Sequence, residues 1–578
     1  MSKKVNIFVL IISSICVLCL IPTQFTAVQS WAVRLVERLK NDDINDPFWM
    51  KQMSAFGALG IITILLFDFF FITQKGRDII KNVAVEYKKV FLEVKENKRY
   101  LFILMGLYFV SFFTILRADF CATIIDDMGR QLEGVRDFMG FYRYTAELGS
   151  IFLHTSRRLM DIAPLTQFIA IFLLSLASFF AIKIFNNNKY SIFACLVSIT
   201  IGICPYFLAN YSFRYDAPYM SLSILVSIIP FLFFHKRDTF IFSSIIGLLI
   251  MCTSYQASSG IYITMSILCV IYKWLLEKED FKEILKKTGI CILCYAFTLL
   301  IFYKLFSIPS ETEIYVDESI SISSLIPNSI NYIKAIISDF NKTPMFIFAV
   351  LITVLSIILL IKNSNQNKVL SSFALIVLII FAIPLTFGSN LALSSIGFEP
   401  RRMYGIGILI ALLSIILYSQ ISTSPKVLKT VSLICLFCFT YCNVVFSFAY
   451  GNAQAEQKDY IKFRATILLQ DLAKVVEETD DTVEFLFVNN IGHANVVNNM
   501  IEVYPVMEKL VDTGLAQDRY SEFVLESMNF FTLVPGTNTD YDTSLPVVLE
   551  NQYHKIQKNG NKYIITYKNP VLKVIKSQ

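Results

Sequence analysis

The chain has 578 residues, 55% of them hydrophobic, with a mean hydropathy of +0.58, 51 phenylalanines and only 17% charged residues. No water-soluble globule has a core large enough to hide that much apolar surface, because buried volume grows slowly with chain length; a bilayer solvates it instead. The net charge of +6 excludes little, since the two ends of each span face different compartments.

Apolar runs long enough to cross ~30 Å of hydrocarbon recur thirteen times, near 5–25, 53–73, 100–116, 163–184, 190–209, 218–234, 239–254, 259–276, 288–306, 344–361, 369–387, 403–420 and 427–449. The first follows Ser2-Lys3-Lys4 and is longer than a typical signal-peptide core, so it reads as an anchor. Lysines and arginines divide unevenly between the two sets of connections up to residue 449. One set carries 23 and the other 16, nine of which fall in only three places: 117–158, Arg214 and Arg401-Arg402. By the positive-inside bias the N-terminus lies in the cytoplasm. Arginines retained on the outer face against that bias point to a use there. Eleven of the twelve cysteines lie in apolar runs and Cys121 sits in a polar loop; no spacing resembles a disulfide framework or a zinc knuckle.

The expected fold is therefore an all-α polytopic membrane protein with a small C-terminal extracytoplasmic α/β domain. Residues 1–99 form a two-span unit with a basic cytoplasmic segment, 100–449 the main membrane domain with outer loop 117–162, and 450–578 the soluble tail, which carries 17 acidic and 12 basic residues. In the tail, helical periodicity runs through 456–478. A strand is expected at 483–489, a helix near 494–511, and a hairpin at Asn559-Gly560 between 553–558 and 562–568.

Loop 117–162 is the most informative stretch. Asp119, Asp126, Asp127, Glu133, Asp137, Glu147 and Asp161 alternate with Arg117, Arg130, Arg136, Arg143, Arg157 and Arg158, a near-neutral mixture unlike a basic patch for anionic lipid. Arg143, Glu147, Ser150, His154, Arg157/Arg158 and Asp161 share one face of a helix expected to lie in the membrane interface, with Tyr144, Leu148, Ile151, Phe152 and Leu159 on another. An Arg143–Glu147 pair stabilising a surface helix is the plainer reading of that face. An Asp at 126 or 127 could simply cap the next helix, and a structural hydrogen bond is the plainer reading of His154. Three more outer turns concentrate polar and aromatic groups: 210–219, holding Arg214, Tyr215 and Asp216; 254–260, holding Gln256; and 399–404, holding Arg401 and Arg402. Charge gathered at one rim, with spans almost free of it, fits a surface site better than a conduction path.

The ordered motifs ADF…IDDxGR…EG…F.RY…E…FLHTSRRL.DI.PL, SFRYDAPYMSLSILVSIIPFL and YQASSGIY resemble the bacterial GtrII-type glucosyltransferases of O-antigen glucosylation, over about residues 100–420. The resemblance implies a GT-C-like hexosyltransferase using a polyprenyl-phosphate sugar, typically glucose, on a cell-surface glycan at the outer face of the bacterial cytoplasmic membrane. It also implies an essential acid in an early outer loop, here Asp126 or Asp127, which no motif separates. Residues 1–95 lie outside the resemblance.

The chemistry requires a carboxylate to take the acceptor's proton, a role for Asp126 or Asp127. The departing lipid phosphate requires fixed cations; Arg130, Arg214, Arg401 and Arg402 are candidates, with Arg157 and Arg158 in reserve. Asp216, Tyr215, Gln256, Glu147 and His154 are candidates for sugar and acceptor hydroxyls. No cofactor is indicated, although Asp119, Asp126 and Asp127 could together hold a divalent ion. Expected partners are the lipid-linked donor, the glycan acceptor, membrane lipids, a small flippase and a cytoplasmic polyprenyl-phosphate glucosyltransferase; no nucleic acid is expected. A polyprenyl-linked sugar flippase or exporter, or a surface-polysaccharide assembly protein, are the competing readings.

Overall fold

In hydrocarbon every backbone N–H and C=O must be satisfied within the chain, so uncharged apolar runs fold as helices. The computed structural model describes residues 3–32, 46–120, 124–307, 319–476, 483–517, 519–529 and 545–569; Cys121 lies outside them. Among these, ten helices are long and apolar enough to cross a membrane, or up to twelve if each of two bent pairs is one span. The bent pairs are Ile12–Gln24 with Thr26–Ala32, turned by 86°, and Ile192–Ile203 with Pro205–Ser212, turned by 68°. At the second bend Cys204 is extended and Pro205 opens the next helix, as a missing N–H and a fixed φ dictate.

The thirteen expected runs thus do not all appear as unbroken spans. The run at 239–254 is a full candidate, Arg237–Ser254, while Ala217–Phe233 falls short of one. Pro230 lies in the 3₁₀ turn Ile229–Phe233 that ends this shorter helix.

Helix Lys98–Ala118 packs along helix Lys426–Val475, helix Leu165–Phe185 against Ala217–Ile228, and Pro344–Asn363 against Gly405–Gln420. Small residues permit the closest approaches. A Cβ at Gly260 or Gly405 would come within 2.0 or 2.1 Å of the Thr386 carbonyl oxygen. Only glycine lets the segments around 260, 386 and 405 converge, and that convergence forms the floor beneath the site.

The tail begins without a break. Composition changes from apolar to polar near 449/450, yet helix Lys426–Val475 runs for 50 residues straight through, about 75 Å at 1.5 Å per residue. Beyond it lies a four-stranded sheet of order β1-β4-β3-β2, with β1 Glu484–Val488, β2 Val547–Glu550, β3 His554–Asn559 and β4 Lys562–Tyr567. β1 pairs with β4 in parallel and β3 with β4 antiparallel. The expected hairpin is present one residue later than read: Asn559 pairs with Lys562, so the turn is Gly560-Asn561, with Gly560 at φ +58°, the conformation two-residue hairpins need.

The helix expected at 494–511 is two, Asn495–Val503 and Met507–Leu510, interrupted at Pro505, whose ring excludes the preceding turn. Helix Arg519–Ser527 and β2 were not foreseen. The tail core joins Phe487, Phe523 and Tyr563 to Ile461 and Leu468 of the long helix and to Phe120 of the loop, so the tail is packed onto the bundle. Lys509 adds an ion pair at 2.6 Å to Asp339, a buried acid that also accepts from the Tyr206 hydroxyl at 2.7 Å.

Candidate active site

Helix Lys98–Ala118 stops where Asp119 adopts φ +47°. Ile124–Met128 then forms a single π turn and Gly129–Glu133 a short helix. Met128 occupies the N-cap of that helix and makes no side-chain cap bond, so neither acid serves as its cap. Neighbouring residues on a helical turn project roughly a quarter-turn apart, and Asp126 and Asp127 take separate surroundings.

Asp126 lines a cavity of about 1700 Å³. Its charged end also holds Arg130, Arg143, Asp216, Glu399, Arg401 and Arg402, with Gln256 beside them; Lys304 completes the charge set. Five cationic side chains therefore face three anionic ones, an excess that suits an anionic ligand. The lining also includes apolar Ile263, Leu299, Phe302 and Leu325. A volume above the ~300–1,000 Å³ usual for small-molecule sites, with charged and apolar side chains on its walls, fits an amphiphile.

Buried Asp216 organises the charged end. It pairs with Arg130 and, at 3.4 Å, with Arg143. Arg130 also lies over the Phe138 ring at 4.5 Å, and Arg143 sits between Phe141 and Tyr255 at 5.0 and 4.8 Å. These aromatic faces hold the guanidiniums in place without neutralising them. Arg401 bridges Glu399 at 2.7 Å and Asp126 at 3.0 Å. Gln256 donates to the Phe141 carbonyl at 2.9 Å.

Other expected residues lie off this cavity. Asp127 is fully buried, its Oδ1 accepting the Arg214 backbone N–H at 3.1 Å. The Arg214 side chain turns outward to Asp161 at 2.7 Å and Asp119 at 2.6 Å. Arg157 and Arg158 are exposed, and Arg158 donates to the Glu133 carbonyl at 2.9 Å. Glu147 accepts from Arg136 at 2.6 Å. Buried His154 faces the Ser150 carbonyl through Nδ1 at 2.9 Å and stacks on Tyr215, ring centres 6.0 Å apart.

Two local expectations are corrected. The interfacial helix spans Tyr144–His154 and stops where Thr155 takes φ +50°, so Arg157, Arg158 and Asp161 do not continue its face. Arg143 reaches Asp216 rather than Glu147, whose carboxylate is taken by Arg136 at 2.6 Å. Arg143, Lys304 and Asn390 on the cavity wall were missed as site residues. Arg143 carried a signal, standing among Phe141, Tyr142 and Tyr144; the other two sit at a span end and in a loop and carried none.

The three acids weighed as a shared ion site diverge: Asp126 to Arg401, Asp127 to the Arg214 amide, Asp119 to Arg214 and Lys458. Among the described residues no group of three or more such side chains could hold a metal.

Burial pushes the Asp127 carboxyl well above the usual carboxylate range, and the negative charge of nearby Asp216 adds to the shift. A carboxyl that holds its proton more tightly folded than unfolded favours the folded state fully below the unfolded value of about 3.9. That contribution is lost as pH rises toward the folded pKa. Asp127→Asn, which keeps the shape and cannot ionise, is therefore expected to flatten the fall in thermal midpoint on going from acid to alkaline pH. Parallel melting curves of variant and wild type across pH 5–9 would contradict it.

A family model described as Glucosyl transferase GtrII matches residues 120–412, from the Asp126 turn through Arg401-Arg402. A protein of Salmonella phage P22, named an uncharacterized 55.3 kDa protein in the gtrB 5′ region, is 27% identical over 202 residues, 34% of this chain and 40% of that protein. The chain thus spans less than half the length of that relative. No solved structure matches it.

Proposed function

The chain belongs to the GtrII glucosyl transferase family and is a membrane glycosyltransferase with many apolar helices, and from that premise we propose that it moves glucose from a polyprenyl-phosphate donor to a cell-surface glycan at the outer face of the bacterial cytoplasmic membrane. The observation that carries this reading is Asp126 on the wall of a cavity whose lining gathers four arginines beside apolar side chains. The excess of lysine and arginine on the opposite connections supports a cytoplasmic N-terminus and an extracytoplasmic tail. The GT-C-like architecture and the three-part division at 99/100 and 449/450 belong to the same proposal.

In this mechanism the acceptor hydroxyl attacks the anomeric carbon from the face opposite the phosphate. The bond from that carbon to the phosphate oxygen breaks, its electron pair leaves with the phosphate, and the configuration inverts. Asp126 takes the hydroxyl proton. Arg130, Arg143, Arg401 and Arg402 meet the growing charge on the lipid phosphate, where preorganised guanidiniums act most strongly in a site shielded from water. Arg401 already bridges Asp126 and Glu399, which sets a cation beside the base. Asp216 and Gln256 would orient the sugar. Arg214, Asp127, Tyr215, His154, Glu147, Arg157 and Arg158 support the surrounding loops instead. A small flippase and a cytoplasmic polyprenyl-phosphate glucosyltransferase would supply the donor, a pathway consistent with a relative whose name sets it beside gtrB.

Purified protein in vesicles containing polyprenyl-phosphate glucose and acceptor glycan is expected to release one polyprenyl phosphate per glucose added. Transbilayer movement of labelled donor without its consumption would favour an exporter instead.

A further inference from the structure

Residues 3–32 and 46–72 lie outside the segment matched by the family, yet they reach the cavity. The first bent pair turns near Ile21–Gln24, and Gln24 lines the cavity together with Ser54, Ala55 and Ala58 of helix Asp46–Ile72. The turn is fastened to that helix by two hydrogen bonds, Gln24 Nε2 to the Ser54 carbonyl at 2.8 Å and Ser54 Oγ to Gln24 Oε1 at 3.0 Å. Gly57 and Gly60 seat it closely, since a Cβ there would meet Thr23 and Leu20 at 1.8 and 2.7 Å. Deeper in the bundle Ser13 donates to Asp68 at 2.8 Å.

Helix Asp46–Ile72 packs against the π turn Phe302–Phe306, which contributes Phe302, Tyr303 and Leu305 to the same cavity. This part of the wall is apolar or small except for Gln24 and Lys304, and carries no arginine among the described residues. The two helices that meet here are also among the least buried candidate spans, 12% and 17% of their apolar windows being covered, so this wall is built from helices with most of their apolar surface turned outward.

Building on the transferase reading above, we propose that residues 3–32 and 46–72 form one wall of a lateral groove that receives the prenyl chain of the lipid-phosphate donor while its phosphate sits among the arginines. A chain entering from the bilayer remains in an apolar medium throughout, and only the headgroup has to move into the polar end. Ala55 and Ala58 leave the width that such a chain requires.

The test compares a long-chain undecaprenyl-phosphate glucose with a short-chain prenyl-phosphate glucose in vesicles, using wild type, Ala58→Trp, which narrows the wall, and Leu65→Trp, a lipid-facing change on the same helix that does not line the cavity. The ratio of KM for the long donor to KM for the short donor is expected to rise about tenfold in Ala58→Trp, equivalent to losing about two methylenes of contact. Leu65→Trp is expected to keep the wild-type ratio. A ratio unchanged in Ala58→Trp, or raised equally in both variants, overturns the groove. Wild type that consumes neither donor overturns the transferase reading first, and that failure is visible before any variant is compared.

Discussion

Asp126→Asn is expected to lower sugar transfer by roughly 10²–10⁴-fold, the range for loss of a general base, while Asp127→Asn stays near the wild-type rate. Sequence position cannot separate these adjacent acids, but their surroundings do. Asp126 borders the cavity and keeps a part-exposed carboxylate paired with Arg401 at 3.0 Å. Asp127 is fully buried, off the cavity, and spends one oxygen on the Arg214 N–H. Asp127, its carboxyl pushed up by burial, anchors the turn 210–219 through the Arg214 N–H, and an amide can accept the same N–H. The measurement is initial rate of transfer from polyprenyl-phosphate glucose, with membrane abundance of each variant as control. The reverse order of activities, or two fully active variants, would remove Asp126 from the mechanism.

The second large effect is expected at Asp216. Arg130 and Arg143 both direct a guanidinium to this acid, which is nearly inaccessible. Asp216→Ala would leave two arginines in a poorly solvated site without that counter-charge, and removing one partner of a buried ion pair costs about 3–5 kcal/mol. The thermal midpoint in detergent should fall markedly and transfer should be lost. Asp216→Asn, which retains an acceptor oxygen but no charge, should fall between. Tyr219 and Phe138 pack in a small cluster beside this pair; Phe138→Leu, which removes the ring under Arg130 but keeps the counter-charge, should destabilise less. A midpoint in Asp216→Ala equal to wild type would show that the two arginines are held by other means.

Docking of the tail bears on both results. Helix Arg519–Ser527 packs on the turn Ile124–Met128, and Phe523 stands 3.1 Å from where a Cβ on Gly129 would be. Tyr520 is raised in pKa by its own burial and then by the negative charges of Asp512 and Asp126. The turn that carries Asp126 is therefore packed between the bundle and the tail. Small changes in tail packing should alter the rate more than the affinity for donor.

Much of this architecture is legible in the linear chain because bilayer physics is local. A run of apolar residues without charge has one way to satisfy its backbone, so helices appear where hydropathy places them. Alternation and turn residues likewise located β1 and the β3–β4 hairpin. The breaks were less legible: Pro205 marks a bend within an apolar run rather than a loop, and although periodicity marks 456–478 as helical, no residue announces that this helix is continuous with the apolar span before it.

The site divides in the same way. Sequence by itself determined which residues could do the chemistry, since acids and arginines gathered at one rim of an apolar protein are costly enough to demand a reason. Only the tertiary structure decided which of them meet. Asp126, Arg130, Asp216, Gln256, Arg401 and Arg402 converge on one cavity, Arg143 joins them, and Asp127, Arg214, Glu147 and His154 brace its surroundings. The physical reason is range. Hydropathy and propensity act over one or two turns of chain, whereas contacts such as Arg401 with Asp126, 275 residues apart, depend on how independently formed helices pack.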